Sequence, residues 1–394
     1  MKKQTQAIHL EYERRDAYDS LSVPVYNTLA YEFDNAAVMA EAFTDKIKAP
    51  DYSRVENPTV TNLERRVAAL TDAAHATAFN SGMAAISNTL MALAAQGKNI
   101  VTSKHLFGNT YALLVATLRR FGVKVRLRDL TNIEAVREAI DDDTCCVFLE
   151  ILTNPQLEVA DLKAISEVAH KKNVPLVVDS TVIPFTQFSA KSLGVDIEVV
   201  SSSKYVSGGA TSLGGLVIDY GTPYNGDFAK RLYGEMLFNF GAYMTPQVAY
   251  MQTIGLETLD ARYRVQSSNA LELAKKLRSL PQIKYVNYVG LEDNPYHELA
   301  QRQFGKTAGA MICIDLESKE ACFSFLNNLK LIHRATNLFD NRSLAIHPAS
   351  TIFGAFSENM RKSMDVKDTT IRLSIGLEDV DDLFEDIKQA VDSL

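Results

Sequence analysis

Two side chains of opposite charge follow consecutive apolar runs. Asp179 ends Leu176-Val177-Val178, and Lys204 comes after Ile197-Glu198-Val199-Val200, inside Ser201-Ser202-Ser203-Lys204 and ahead of Gly208-Gly209 and Gly214-Gly215. An amine beside an anion is what pyridoxal phosphate (PLP) requires: the lysine condenses with its aldehyde, and a carboxylate keeps the ring nitrogen protonated so that the ring accepts electrons. A lysine in apolar surroundings also has a lowered pKa, which supplies the neutral amine. Taken singly, each residue has a plainer reading. Lys204 can be a surface lysine in a turn, and Asp179 a helix N-cap or a carboxylate satisfied by nearby backbone.

A phosphate needs donors. Ser81-Gly82-Met83 opens a helical stretch directly after the strand-like Ala76-Thr77-Ala78-Phe79, so the N–H groups and positive end of that helix can hold an anion, with Gly82 allowing close approach. Glycine at such a turn is also common for structural reasons alone. The hydroxyls of Ser201 and Ser203 offer further donors from a neighbouring strand end. Arg372, inside Ile371-Arg372-Leu373-Ser374-Ile375, reads either as the outward residue of a half-buried strand or as a bidentate clamp for a carboxylate.

These residues must be positioned by an alternation of strands and helices. Apolar runs at Ile100-Val101, Val123–Leu127, Cys145–Leu149, Leu176–Val178, Ile197–Val200 and Leu216–Ile218 are separated by helical patterns, such as Asp161–Lys172 with Leu162, Ile165, Val168 and Ala169 on one face. This predicts an α/β fold whose mostly parallel sheet is covered by helices on both sides, with ligands bound beyond the carboxyl ends of the strands. After about residue 255 a long helix over Leu256–Leu280 leads into shorter strands (Ala310–Leu316, Leu331–His333, Ile371–Ile375) and an amphipathic helix over Asp381–Val391, which reads as a smaller α+β domain. The expected organisation is an N-terminal arm (1–56), a cofactor-binding domain (57–255) and a C-terminal domain (256–394).

Bulk properties narrow the partners. Of 394 residues, 41 are Lys or Arg and 48 Asp or Glu, a net charge of −7 that disfavours generic nucleic-acid binding. The first twenty residues lack the apolar core of a signal peptide, and no apolar span is long enough for a membrane helix, so a cytoplasmic protein is expected. Cys145, Cys146, Cys313 and Cys322 show no metal-ligand spacing and read as free, buried thiols; no metal is expected.

Five segments in order resemble the Cys/Met-metabolism family of PLP-dependent enzymes: Tyr52-Ser53-Arg54-Val55-Glu56-Asn57-Pro58-Thr59, Ser81-Gly82-Met83-Ala84-Ala85, Val177-Val178-Asp179-Ser180-Thr181, Ser201-Ser202-Ser203-Lys204-Tyr205 and Ile371-Arg372-Leu373-Ser374-Ile375-Gly376-Leu377-Glu378-Asp379. The resemblance implies fold type I with a seven-stranded sheet. It also implies Lys204 as the Schiff-base lysine and Asp179 as the partner of the ring nitrogen. Gly82, Met83, Ser201 and Ser203 would form the phosphate cradle. Tyr52 and Arg54 would reach the phosphate of a neighbouring subunit, hence an obligate dimer and a homotetramer of two such dimers. Asn154 would lie near the cofactor's phenolic oxygen and the substrate carboxylate, and Arg372 would clamp that carboxylate.

Departures from the family's pattern bear on the reaction. Phe107 stands where the lyases usually carry a tyrosine; it can stack on the ring but cannot donate a proton. Asn109 stands where methionine γ-lyases tend to have cysteine. Asn337 and Ser343–Thr351 resemble the O-acetylhomoserine sulfhydrylases of the family. Phe339 replaces a common glycine, Ser180 a common asparagine, Glu150-Ile151-Leu152 the usual Glu-Ser/Thr-Pro, and Gly208-Gly209-Ala210 a segment that often holds histidine. The implied activity is γ-replacement on an O-acylated homoserine by sulfide or a thiol, giving homocysteine or methionine. A methionine or cystathionine lyase, a cystathionine γ-synthase and a catalytically silent PLP-binding regulator are the alternatives.

Overall fold

The computed structural model describes residues 1–10, 16–44, 46–306 and 308–394. Seven strands form the larger sheet: β1 (His75–Phe79), β2 (Asn99–Thr102), β3 (Lys124–Leu127), β4 (Thr144–Glu150), β5 (Leu176–Asp179), β6 (Ile197–Val200) and β7 (Gly215–Asp219), in the order β1-β7-β6-β5-β4-β2-β3. β7 pairs antiparallel with both β1 and β6, and the other pairs are parallel, so six strands point one way. Side chains along a strand alternate between faces. In β4, Val147 and Leu149 join one apolar core while Cys146 and Phe148 join the other. A sheet buried on both faces explains why its strands read as continuous apolar runs.

Helices cover both faces. Helix Leu162–His170 buries Leu162, Ile165, Val168 and Ala169, and Asp161 caps it by accepting a hydrogen bond from Ala164 N (3.0 Å). The long helix expected from Leu256 instead begins at Pro246, where a missing N–H costs nothing, and runs unbroken to Leu277, across the position taken as a domain boundary. Beyond it lies a five-stranded sheet of β8 (Tyr285–Asn287), β9 (Met311–Asp315), β10 (His333–Arg334), β11 (Leu344–Ile346) and β12 (Thr370–Ser374), ordered β10-β11-β12-β9-β8. The strand expected at Leu331–His333 is thus confined to His333–Arg334. All four cysteines are free; three are buried and Cys145 is partly so. Among the described residues no helix is long and apolar enough to cross a membrane, and no cluster of His, Cys, Asp and Glu has the makings of a metal site.

Candidate active site

One edge of the larger sheet gathers the turns that carry chemistry. β1 leads to Ser81-Gly82, β2 to Phe107, β4 ends at Glu150 ahead of Asn154, β5 ends at Asp179, and β6 leads to Ser201–Lys204. β12 of the second sheet brings Arg372 to the same place. A cavity of about 370 Å³ is lined by Gly82, Met83, Phe107, Asn109, Asn154, Asp179, Ser201, Ser203, Lys204 and Arg372, among others.

Ser81 caps helix Gly82–Leu93 by accepting from Ala84 N (3.1 Å), so the N–H groups of Gly82 and Met83, one turn before the helical ladder begins, are the ones an anion can take. A Cβ on Gly82 would lie 2.6 Å from Ser201 Cβ and 2.7 Å from its Oγ. Glycine is therefore required for these two segments to meet. Ser203 also reaches the wall, but its hydroxyl donates to Gly214 O (3.1 Å) and accepts from Gly214 N (2.9 Å), which braces the turn around Lys204.

Lys204 Nζ donates to Asn337 Oδ1 at 2.7 Å. Burial, assisted by the charge of Arg372, pushes its amine down to about 8. Arg372 is only 2% exposed, and the reading of an outward-facing strand residue fails. Its Nη1 donates to Asn154 Oδ1 (3.2 Å) and its Nη2 to Asn337 O (3.3 Å), while its Nε has no protein partner. A buried guanidinium with an unused donor, among donors at the long end of the hydrogen-bond range, is a receptor for a carboxylate.

Asp179 Oδ1 accepts from Thr181 N (2.9 Å), so the local backbone bond and the functional placement coexist. Thr181 Oγ1 in turn accepts from Ser201 N (2.8 Å), tying the aspartate turn to the phosphate side. Beside Asp179 in register lies Glu150, a residue the sequence reading does not assign to the site. Its Oε1 accepts from Phe107 N at 2.5 Å. Burial raises the pKa of both carboxyls, and the charge of Asp179 raises that of Glu150 further. Two buried carboxyls side by side disfavour ionisation of both at once. Glu150 ends the run Cys145–Leu149 as Asp179 ends Leu176–Val178, a pattern by which it could have been found.

Tyr52 and Arg54 stand apart from this cavity. Tyr52 is 40% exposed, and the Arg54 guanidinium sits 5.5 Å over its ring while donating to Phe238 O. Tyr111, four residues after Phe107, is not among the residues lining the cavity, and its ring meets Phe356 edge-on at 5.9 Å.

The site thus pairs a helix-end anion cradle, an amine of lowered pKa and a buried carboxylate. They offer donors for a phosphate, a nucleophile for an aldehyde and an acceptor for a protonated pyridine nitrogen, and the tight Gly82–Ser201 contact shapes the first of them. Fold and site together define a PLP-dependent enzyme of fold type I. The sequence profile described as "Cys/Met metabolism PLP-dependent enzyme" matches residues 4–392. L-methionine gamma-lyase of Fusobacterium nucleatum subsp. polymorphum is 37% identical over 99% of this chain and 98% of its own length. O-acetyl-L-homoserine sulfhydrylase of Corynebacterium glutamicum is 31% identical over 98% and 95%. A crystal structure of a putative O-acetylhomoserine (thiol)-lyase from Campylobacter jejuni, which contains a pyridoxyl-lysine monophosphate, superposes with a TM-score of 0.95 at 35% identity over the whole of both chains. The chain belongs to the Cys/Met-metabolism family of PLP-dependent enzymes.

Proposed function

We propose that this enzyme replaces the γ-acyloxy group of an O-acylated homoserine with a sulfur nucleophile, sulfide or a thiol, giving homocysteine or methionine. The observation that carries the reading is Phe107: the wall of the cavity holds a phenyl ring and Asn109 where a lyase of the family usually has a phenol and, in methionine γ-lyases, a thiol. A carboxylate leaving group departs as a weak base and needs no proton from that position, whereas a thiolate leaving from methionine gains from one.

Bound PLP supplies an aldehyde for Lys204 and a ring that takes up the electron pair left when a proton is removed from the substrate's α carbon. The protein's part is positional and proton-handling. Gly82, Met83 and Ser201 would hold the phosphate, Asp179 would keep the ring nitrogen protonated, and Phe107 would supply an apolar wall for the ring. Arg372 and Asn154 bind the substrate carboxylate. Lys204, with its amine lowered to about 8, removes and returns protons at the substrate's α and β carbons, and Asn337 Oδ1 orients it. Tyr52 and Arg54 act on the phosphate of a second subunit. The active form is accordingly a dimer, two of which assemble as a tetramer, in the cytoplasm.

The 37% identity to a methionine γ-lyase favours a second reading, elimination from methionine. Product analysis separates the two, using O-acetylhomoserine, O-succinylhomoserine, cystathionine and methionine, each with and without sulfide. Sulfide-dependent homocysteine from an O-acylhomoserine supports γ-replacement. Steady ammonia and 2-oxobutanoate from methionine, without sulfur incorporation, would sink it.

A further inference from the structure

His105 lies two residues before Phe107, 6% exposed, between two carboxylates. Its Nδ1 is 2.5 Å from Glu158 Oε2 and its Nε2 is 2.8 Å from Asp365 Oδ2. A neutral imidazole has one N–H, and an ionised carboxylate only accepts. Both contacts are hydrogen bonds only when the ring carries a proton on each nitrogen. Lys104 Nζ, 2.7 Å from Asp365 Oδ2, completes a group of two cations and two anions. The Tyr296 phenol, pushed up to about 12 by burial, Glu158 and Asp129, stays neutral around pH 7.

The three segments that meet here each hold a residue of the active site. His105 precedes Phe107. Glu158 closes the turn containing Asn154, through Thr153 N to Glu158 O (3.1 Å) and Glu158 N to Thr153 Oγ1 (2.9 Å). Asp365, at φ 54°, lies on the connection into β12 and Arg372. A single side chain therefore ties the cofactor-stacking turn of the first sheet to the carboxylate-binding residues of both sheets.

We infer that His105 is a positioning residue: its imidazolium clasps Glu158 and Asp365 and fixes Phe107 relative to Asn154 and Arg372, and the clasp opens when the ring loses a proton. This rests on the reading of Phe107 as part of the cofactor site. Burial opposes the charged ring, but the two carboxylates outweigh it and hold the pKa above its ordinary 6.5. The sign follows from linkage. The clasp stabilises the folded protein fully below pH 6.5 and is lost as pH rises through the raised value.

Glu158→Gln is the decisive variant. A glutamine amide donates to Nδ1 while neutral Nε2–H still donates to Asp365, so the clasp persists without a proton to lose. Thermal unfolding and PLP affinity of the apoenzyme are measured for wild type, Glu158→Gln and His105→Gln across roughly pH 6 to 9. Wild type should exceed His105→Gln by about 2–4 °C at the acid end, a gap that closes at the alkaline end, while the profile of Glu158→Gln lacks that change. The wild-type Kd for PLP should weaken about tenfold relative to Glu158→Gln over the same range, a ratio in which the shared titration of Lys204 cancels. Parallel unfolding profiles in wild type and Glu158→Gln would overturn the clasp. A changed unfolding profile with an unchanged Kd ratio would overturn its positioning role. Neither measurement depends on the reaction's products, so a failed γ-replacement assay leaves this test separate.

Discussion

Glu150 and Asp179 sit side by side at the ends of β4 and β5, where burial raises the pKa of each carboxyl and the charge of Asp179 raises that of Glu150 further. Glu150 accepts the Phe107 N–H, and we propose for Asp179 the different duty of pairing with the ring nitrogen. Glu150→Gln should then retain PLP, with Kd within about threefold of wild type, whereas Asp179→Asn should weaken it by about a hundredfold or more, since a charge-assisted hydrogen bond in a dry site is lost. Titration of both apoenzymes with PLP measures this, and equal losses would refute the division of labour. Asp179 and Lys204 were legible in the sequence because each stands where an apolar run stops. Glu150 obeys the same rule, yet a lone glutamate does not declare its neighbour; only the strand register does. Ser203 shows the reverse case, since its spacing suggested a phosphate donor while its hydroxyl is engaged with Gly214.

At the level of elements, helix Pro246–Leu277 does more than cover the sheet. Gly255, in its first third, lies against the turn that follows Lys204: a Cβ there would be 2.0 Å from Val206 O and 2.7 Å from Gly208 N. Two turns further, Arg262 Nη2 donates to Tyr205 O (2.8 Å) and to Gly255 O (2.6 Å). Tyr205 is stacked on Phe339 at 4.0 Å between ring centroids, with Phe339 at φ 58°. That left-handed backbone is why glycine is common at this position, and the stacked ring is what holds a phenylalanine there. Two terms compete in Gly255→Ala. Helix propensity favours alanine by about 1 kcal/mol. Forcing a methyl against a backbone carbonyl costs about 1–3 kcal/mol or more, because a helix and a turn must separate. The clash wins, so the variant should unfold at lower temperature and release PLP more readily, as thermal scans and absorbance after dialysis will show. The periodicity identified the helix, but inside it a glycine reads only as a weak point. Its reason is a tertiary contact, and no local pattern carries that.

For the whole molecule, the arm before residue 57 leaves Leu21, Leu29, Phe43 and Tyr52 exposed, and Phe238, whose carbonyl accepts from Arg54, and Phe240 are exposed as well. These exposed apolar side chains, with the two residues that the family resemblance sends to a neighbour's phosphate, are what the proposed dimer would cover. A dimer with shared sites makes a quantitative prediction. Lys204→Ala and Arg54→Ala subunits should each be inactive or severely impaired alone. Co-expressed, half of the dimers formed at random are mixed, and in each of these one site combines an intact Lys204 with an intact Arg54 from the other subunit. Activity should therefore recover to about a quarter of wild type. Purifying the mixed dimer by two different affinity tags raises the expected value to about half, because every molecule then has one complete site. Recovery absent from the purified mixed dimer would place Arg54 in the service of its own subunit's site, and the arm would need another partner for its apolar face.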